Sequence, residues 1–374
     1  LIIVEVAGVH SSARFSSHFI QADNDACIAG YRKIARTCHQ HDCPVLGQLY
    51  HPGRETRGKV DGVTPVAWAP SALPGERHHV MPRAMPPKLV KEVINGYGSS
   101  AHRLVTAGLD GVEVLASHGY LPAQFLSAAV NSRQDEYGGN AENRMRFLRE
   151  VLEAVRSRLG VGPVVGMRIS GDDLDGLGLD ESESTACCEV LAAAGLVDYV
   201  SVGAGSSASR PGAYHISAPM TEAHGYTAPY GAAVKARVSV PVIVTGRINQ
   251  PQIDERIVGA GEADACGMTR AMICDPQLAI KTDTGRHEDV RACIACNQAC
   301  VGHFFQGVPI SCIQHPETGR ELKFETLHPA APSRRVLVAG GGPGGMKAAA
   351  VAAARGHEVT LCETGARLGG QALL

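Results

Sequence analysis

Val164-Val165-Gly166-Met167-Arg168-Ile169 is apolar on both faces until its last residues. This pattern is typical of a strand in a parallel sheet that helices cover on both sides. Similar apolar runs alternate with helical patterns along most of the chain, which predicts the α/β class. The strand candidates are residues 1–6, 45–50, 111–115, 164–170, 199–205, 241–246 and 263–269. The helix candidates lie near 26–41, 88–107, 140–159, 182–194, 228–237 and 250–259.

Seven βα units are one fewer than the eight that close a parallel barrel. The chain begins with the apolar run Leu1-Ile2-Ile3-Val4, which predicts a strand that includes the first residues. We therefore expect residues 1–285 to form a TIM (β/α)8 barrel whose first βα unit lies upstream of residue 1. A barrel that lacked this unit would expose two sheet edges, and we expect it to be poorly soluble.

A second domain is predicted at the end of the chain, over residues 331–374. The glycine-rich turn Gly340, Gly342 and Gly345 follows a strand and opens a helix, and Glu363 comes 18 residues after the last glycine. This G-x-G-x-x-G pattern with its acidic residue is typical of the start of a Rossmann-like dinucleotide-binding domain. About 40 residues cannot bury a sheet, so we expect residues 1–374 alone not to turn over with NAD(P)H.

Between these domains, residues 286–330 carry a C-x2-C-x3-C-x11-C array made of Cys293, Cys296, Cys300 and Cys312. Zinc ribbons usually bring two separated C-x2-C pairs together, whereas three crowded thiolates suit three corners of an iron–sulfur cube. We favour a 4Fe-4S cluster, with structural zinc and unliganded thiols as the alternatives. The other eight cysteines have no disulfide-framework spacing, which indicates a reducing, cytoplasmic compartment.

Composition narrows the class of partner. The 374 residues are 44% hydrophobic and 19% charged, as expected of a globular protein. The net charge is −2 without a strongly basic run, which argues against nucleic acid and anionic membranes as partners. No stretch reaches the ~18 apolar residues that a membrane span needs. A small-molecule substrate is the class of partner that remains.

Barrel enzymes place their chemistry at the carboxyl ends of the strands. Gly246 and Arg247 follow one predicted strand, and Thr269 and Arg270 follow the next. Backbone N–H groups and guanidinium groups at these two places would bind a phosphate. Ordinary surface arginines are the structural alternative, and the paired positions favour the phosphate site.

Other strand ends carry Gln48, Arg168, and the pair His118 and Tyr120. A buried arginine needs an anionic partner, and Asp172 and the charge near N1 of a reduced flavin are equal candidates for Arg168. A tyrosine stays protonated at neutral pH and can donate a proton. For an arbitrary histidine and tyrosine, we would favour structural roles, in which the tyrosine packs against the barrel rim and the histidine hydrogen-bonds to the backbone.

Longer motifs extend this pattern. They are Gln48 with His51-Pro52-Gly53-Arg54; Gly111 to Val114 leading to Gly119-Tyr120-Leu121 and Gln124-Phe125-Leu126; Asn131 to Gly139; Glu142-Asn143-Arg144; and Cys293 to Cys300. With these motifs the chain resembles the iron–sulfur flavoproteins of the Old Yellow Enzyme superfamily, which include bacterial 2,4-dienoyl-CoA reductase and trimethylamine dehydrogenase. The resemblance covers almost the whole chain.

The resemblance implies a barrel that holds FMN, a 4Fe-4S cluster beside it, and C-terminal FAD- and NAD(P)-binding domains. It implies that Gln48 and Arg168 touch the flavin ring system, and that Arg247, Thr269 and Arg270 hold the FMN phosphate. Electrons would pass from NAD(P)H through FAD and the cluster to FMN, and then as hydride to the C=C bond of an unsaturated substrate such as a 2,4-dienoyl-CoA. Tyr120 would be the proton donor, with His118 positioning the substrate or relaying the proton.

The sequence departs from the reductase pattern in two places. No histidine stands in residues 205–210, where the reductase has one, and His215 is the nearest substitute. Leu115 replaces a carbonyl-binding histidine of ene-reductases that lack a cluster, which argues against simple enone reduction. One alternative is an amine dehydrogenase of the trimethylamine dehydrogenase type, which would need a bowl of aromatic side chains to bind an ammonium group. The aromatic content of 5% argues against this alternative. The other alternative is a non-catalytic barrel that a structural zinc ion stabilises.

Overall fold

The structure is a computed structural model that describes residues 1–15, 19–56, 62–324 and 327–373. The chain forms two compact units, Leu1–Asn297 and Gln298–Leu374. The boundary between them lies inside the predicted cluster segment 286–330. Residues 325–326 and Leu374, which fall in the predicted segments, lie outside the described residues.

The first unit is built around one parallel sheet whose strands are neighbours in chain order. These strands are β1 (Ile2–Gly8), β2 (Val45–Tyr50), β5 (Gly111–Ala116), β6 (Val164–Ser170), β7 (Tyr199–Gly203), β8 (Val242–Val244) and β9 (Ala265–Cys266). Two-residue strands β3 (Trp68–Ala69) and β4 (Arg83–Ala84) pair separately. Every predicted strand is present, and the α/β fold of the TIM-barrel type is confirmed. The last two strands are shorter than predicted because their final residues turn into loops and helices.

Helices separate the sheet strands. They are α1 (Cys27–His39), α2 (Pro87–Thr106), α3 (Leu121–Leu126), α4 (Ala141–Leu159), α5 (Glu181–Ala193), α6 (Arg210–Ile216), α7 (Ala228–Lys235), α8 (Pro251–Gly259), α9 (Thr269–Cys274) and α10 (Leu278–Asp283). The six predicted helices correspond to α1, α2, α4, α5, α7 and α8. The remaining four are too short to show a helical period in sequence.

Local chemistry explains where the longer helices begin and how closely they pack. The side chains of Asn140 and Asp180 accept hydrogen bonds from backbone N–H groups three residues on, and so cap α4 and α5. Helices α2 and α4 pack together. A Cβ atom at Gly98 of α2 would lie 2.8 Å from the carbonyl oxygen of Ala154, so this glycine permits the close approach.

Three aspartates at the amino ends of the strands repeat one arrangement, which we call the aspartate clip. Each precedes a strand and accepts a hydrogen bond from the backbone N–H that begins the neighbouring strand, at 2.7 to 2.8 Å. Each also pairs with a basic residue in the last turn of the helix before that neighbouring strand. The clips are Asp110 with Val45 and His39, Asp198 with Val165 and Arg156, and Asp264 with Val242 and Lys235.

We expect Asp264→Ala to lower the free energy of unfolding by about 1 kcal/mol at neutral pH, because the Val242 N–H loses its charged acceptor. The hydrogen bonds from Lys235 and from the Val242 N–H hold the pKa of Asp264 below its usual value. The stabilisation is therefore present above the unfolded pKa of about 4 and is lost as pH falls through the lower folded pKa.

Urea unfolding followed by the fluorescence of Trp68, the single tryptophan, measures this loss. Asp264→Asn keeps an oxygen acceptor and should lose less. Asp283→Ala is the matched control, since this exposed aspartate forms no ion pair within the described part of the chain. Equal midpoints for Asp264→Ala and Asp283→Ala would contradict the role of the clip.

The second unit contains the predicted βαβ start. Strands β10 (Arg335–Ala339) and β11 (Glu358–Cys362) pair in parallel, with α13 (Pro343–Ala354) between them. Two shorter helices, α11 (His303–Gln306) and α12 (Glu321–Phe324), precede them. In the described residues, no helix is both long and apolar enough to cross a membrane.

The backbone of the glycine-rich turn requires glycine at two positions. Gly340 has φ +101°, and a Cβ at Gly345 would lie 2.0 Å from the Gly340 carbonyl oxygen, so both positions need glycine. Gly342 is the residue just before α13. The Glu363 carboxylate accepts hydrogen bonds from the N–H groups of Gly341 and Gly365, at 2.6 and 2.9 Å, and these bonds lower its pKa.

Candidate active site

Arg168, His118 and Thr245 meet at the carboxyl ends of β5, β6 and β8. The Arg168 Nη2 donates a hydrogen bond of 2.9 Å to the Thr245 hydroxyl. A Cβ atom at Gly203 would lie 3.7 Å from Arg168 Nη2 and 3.8 Å from His118 Nε2. The absence of a side chain at Gly203 therefore leaves space over the strand ends that two nitrogen-bearing side chains border.

Arg168 has no acidic neighbour in the described residues. No carboxylate lies within 4 Å of its guanidinium group, and its buried Nε has no hydrogen-bond partner. Asp172, one of the two partners considered above, instead accepts a hydrogen bond of 2.6 Å from the Leu174 N–H. Arg168 is half-buried, and a cation held partly away from water without an anion is costly. The geometry therefore fits an anionic group bound over the strand ends.

His118 and Tyr120 lie side by side after β5, with ring centroids 6.3 Å apart. Burial, reinforced by the charge of Arg168, lowers the pKa of His118 well below its usual value, so the imidazole is neutral. Burial raises the pKa of Tyr120 to about 12, so the phenol is protonated. The Tyr120 hydroxyl has no hydrogen-bond acceptor among the residues that the structure describes. It can therefore donate to a bound molecule.

Gln48 has a partner that the sequence motifs did not predict. Its Nε2 donates a hydrogen bond of 2.6 Å to Glu113, which lies opposite it in the sheet and is fully buried. The Tyr199 hydroxyl donates to the other oxygen of Glu113 at 2.8 Å. This network fixes the orientation of the Gln48 amide beneath the strand ends. A lone glutamate within an apolar strand is the signal that could have revealed it.

The predicted phosphate site divides into two parts. Arg247 has φ +52°, and its buried Nε has no hydrogen-bond partner among the described residues. A Cβ at Gly246 would lie 2.4 Å from the Thr227 hydroxyl oxygen. This tight turn and unsatisfied guanidinium fit the phosphate of FMN. Thr269 is exposed at the start of α9. Arg270 is already engaged, because its Nη1 donates to Ala218 O at 2.9 Å and to Asn297 Oδ1 at 2.7 Å.

The first two cysteines of the array lie beside this phosphate turn. The Asn249 side chain donates a hydrogen bond of 2.6 Å to the carbonyl oxygen of Cys293. Ala295 and Asn297 both have left-handed backbone, with φ +55° and +56°, and the Ala295 N–H lies 3.4 Å from Cys293 Sγ. Such strain in a loop that directs N–H groups at sulfur is typical of a thiolate ligand segment.

The other two cysteines are close in the second unit. Cys300 lies in the π-helix Gln298–Gly302, and the Ser311 N–H, next to Cys312, donates a hydrogen bond of 2.8 Å to Ala299 O. In the described residues, no three His, Cys, Asp or Glu side chains are gathered as a metal site. Each unit thus brings two array cysteines near each other.

Two arginines that the sequence did not identify as functional form the rim of the site. Arg54 Nη2 donates to Ala208 O at 3.2 Å, and Arg77 Nη1 donates to the Ser207 hydroxyl at 2.9 Å. They join the turn after β2, which carries Arg54, and the loop after β3, which carries Arg77, to the loop after β7. Arg54 belongs to a quoted motif but had no assigned role, and no sequence pattern marked Arg77.

An aromatic cluster includes Tyr120 of the site. Tyr120 and Tyr50 have ring centroids 4.8 Å apart, Phe19 lies 5.6 Å from Tyr50, and Phe15 lies 4.9 Å from Phe19. The low aromatic content of the chain did not predict this cluster. His215, the proposed substitute histidine, has its ring centroid 5.9 Å from that of Tyr226, and its buried Nδ1 has no hydrogen-bond partner in the part of the chain that the structure describes.

The family model for NADH:flavin oxidoreductase / NADH oxidase matches residues 1–289. The chain belongs to this family. It is 36% identical over 354 residues to a metal reductase of Desulforamulus reducens, which covers 95% of this chain and 52% of that protein. It is 37% identical over 359 residues to an N,N-dimethylglycine/sarcosine dehydrogenase of Chromohalobacter salexigens, covering 95% of this chain and 51% of that protein.

Solved structures agree with this assignment to the flavin oxidoreductases. A 2-naphthoyl-CoA reductase in complex with 2-naphthoyl-CoA superposes with a TM-score of 0.92 at 31% identity. The match covers 99% of this chain and 57% of that one. The chain thus spans about half the length of the curated relatives it matches.

We expect Arg247→Ala in this flavin oxidoreductase to weaken FMN binding ~10–100-fold, the worth of a charge-assisted phosphate contact. Arg168→Ala should weaken it less and mainly shift the reduction potential of the bound flavin. The fluorescence of FMN released on dilution measures the dissociation constants. Equal FMN affinity in wild type and Arg247→Ala would refute the phosphate assignment.

Proposed function

We propose that the protein binds FMN over the carboxyl ends of the strands and reduces a C=C bond conjugated to a carbonyl group. The observation that carries this proposal is the Arg168 guanidinium, which has no carboxylate partner in the described residues and lies beside a neutral histidine. Such a cation suits the negative charge of a reduced flavin. Family membership supports the same cofactor.

When bound and reduced, FMN would supply a hydride to the substrate. The residues of this chain have separate tasks. Arg168 and Gln48 hold the flavin ring system, and Arg247 holds its phosphate. The neutral His118 orients the substrate carbonyl, and the protonated Tyr120 supplies the proton that completes reduction of the bond.

The cysteine array and the second unit support a proposal for electron supply. Cys293, Cys296, Cys300 and Cys312 would hold a 4Fe-4S cluster, which carries one electron at a time between two-electron carriers. Gly340, Gly342, Gly345 and Glu363 would bind FAD. NAD(P)H would be the source of the electrons.

We infer that the substrate is an unsaturated acyl thioester, such as an acyl-CoA. The similarity to a 2-naphthoyl-CoA reductase supports this class.

An anaerobic reoxidation experiment tests the proposal. The purified protein, with its flavin reduced by dithionite, is mixed with 2-enoyl and 2,4-dienoyl thioesters, free enoates and simple enones. We expect the thioesters to reoxidise the flavin and to yield one equivalent of saturated or partly saturated product by mass spectrometry. Persistent reduced flavin with every alkene would overturn the proposal.

A second candidate function is oxidative removal of an N-methyl group from an amino acid. The aromatic cluster around Tyr50 and Tyr120 favours it, because aromatic faces bind ammonium groups. Similarity to an N,N-dimethylglycine/sarcosine dehydrogenase points the same way. Anaerobic bleaching of the oxidised flavin by N,N-dimethylglycine or sarcosine, with release of formaldehyde, would establish this function.

A further inference from the structure

Two side-chain hydrogen bonds join residues 293–297, which we call the cysteine loop, to the segments that follow β8 and β9. Asn249 Nδ2 donates to the carbonyl oxygen of Cys293 at 2.6 Å. Arg270 Nη1 donates to Asn297 Oδ1 at 2.7 Å. These bonds hold the loop at both of its ends, and the loop carries the first two cysteines of the array.

The two barrel residues in these bonds belong to the segments predicted to bind the phosphate of FMN. Asn249 lies two residues after Arg247 in the turn that follows β8, and it is buried. Arg270 lies next to Thr269 at the start of α9. Its Nη1 is engaged with the cysteine loop, but a guanidinium group has further N–H donors on Nε and Nη2 that can contact a phosphate. The same two segments thus border the phosphate site and the cysteine loop.

The cysteine loop and the phosphate turn both have strained backbone. Ala295 and Asn297 have φ of +55° and +56°, and Arg247 has φ of +52°. Residues with side chains rarely adopt this left-handed region, and they keep it only where neighbouring contacts hold them there. Since the hydrogen bond from Asn249 joins the two segments, order in one segment favours order in the other.

The phosphate turn also has polar groups that a phosphate would satisfy. Within the described residues, the buried Nε of Arg247 and the fully buried hydroxyl of Thr227 have no hydrogen-bond partner. The Thr227 hydroxyl adjoins the turn, because a Cβ at Gly246 would lie 2.4 Å from its oxygen. Both groups can donate, and buried donors without acceptors destabilise the turn until an acceptor binds.

We infer that Asn249 is a positioning residue that couples the phosphate site to the cysteine loop, an inference that rests on the proposed binding of FMN. A phosphate bound at Arg247 fixes the turn, the turn fixes the Asn249 side chain, and that side chain fixes the backbone at Cys293. Coupling between two sites is reciprocal, so an ordered cysteine loop also strengthens phosphate binding. The proposed cofactors on the two sides of Asn249 would therefore assemble cooperatively.

Hydrogen–deuterium exchange tests this coupling without any measurement of activity. The full chain, freed of iron with a chelator and of flavin by dialysis, is compared with and without saturating FMN or riboflavin, which lacks the phosphate. We expect FMN to slow amide exchange in the cysteine loop ~10-fold, within the usual range of coupling between sites. Riboflavin should leave the exchange unchanged. Equal protection by the two flavins, or no protection by bound FMN, would overturn the inference.

The variant Asn249→Ala separates the coupling from a general effect on folding. We expect it to lose the FMN-dependent protection of the cysteine loop. Its affinity for riboflavin should equal that of wild type, whereas its affinity for FMN should fall ~10-fold, because only phosphate binding is linked to the loop. A purely structural role would weaken the binding of both flavins equally, and that result would contradict the inference. Wild-type protection by FMN in this variant would contradict it as well.

Two further variants complete the test. Asn95→Ala is the matched control, since Asn95 is exposed on α2, and it should keep both the FMN affinity and the protection. Asn297→Ala approaches the coupling from the loop, because it removes the acceptor of Arg270 and leaves the phosphate turn unchanged, and it should reduce the protection. If wild type binds neither flavin, the proposed function fails. If it prefers FMN to riboflavin but the loop stays unprotected, the coupling alone fails.

Discussion

Tyr120→Phe should slow reoxidation of the reduced flavin by substrate ~10²–10⁴-fold, the usual contribution of a positioned general acid. The substitution removes only the hydroxyl, and the ring can keep its edge-on packing against Tyr50 at 4.8 Å. Reduction of the flavin by dithionite does not use this proton and should keep its wild-type rate. Stopped-flow absorbance under anaerobic conditions separates the two half-reactions.

Tyr226→Phe is a suitable control for the Tyr120 variant. Tyr226 is also a buried tyrosine near the strand ends, but its hydroxyl donates to His215 O at 2.6 Å and is therefore engaged. An unchanged single-turnover rate for Tyr120→Phe would exclude this residue as the donor. His215 would then be the next candidate, since its Nδ1 is buried without a hydrogen-bond partner.

Cys296→Ala should abolish the cluster and with it electron delivery to FMN. We expect iron and acid-labile sulfide to fall from about four atoms of each per chain to near zero. Dithionite should still reduce FMN, because it does not need the cluster. Retained FMN would show that the barrel remains folded.

Cys362→Ser is the control for this loss, since Cys362 is exposed at the end of β11 and outside the array. It should keep the full iron and sulfide content. Zinc with sulfur ligands at ~2.3 Å and no labile sulfide in wild type would refute the cluster and favour the structural-zinc alternative.

The sequence predicted the scaffold well because burial on both faces leaves a strong mark. Runs such as Val164–Ser170 are apolar throughout, and the six long helices alternate with them. The location of residues at or just after the carboxyl end of a predicted strand could be predicted for the same reason. Arg168 and His118 lie together because parallel strands bring their carboxyl ends to one edge of the sheet.

The sequence could not predict the pairings that depend on side-chain direction. Arg270 was predicted to hold phosphate, and this remains a prediction; the fold adds a contact of its Nη1 with Asn297 Oδ1 at 2.7 Å, which the sequence did not predict. Glu113 lies within a quoted motif, yet its link to Tyr199 joins residues far apart in the chain. Glu55 follows a recognised motif, but only the fold shows that it is buried and lies 3.4 Å from Arg54 Nε.

The aspartate clips have a consequence for how the barrel opens. They join β2 to β5, β6 to β7 and β8 to β9, whereas the described residues place no such clip across the seams β5–β6 and β7–β8. Local stability in a protein is divided among cooperative segments. We therefore expect native-state hydrogen exchange to reveal strand pairs as the units of subglobal unfolding. The amides of Val45, Val165 and Val242 should exchange together with their partner strands, and the unclipped seams should separate first.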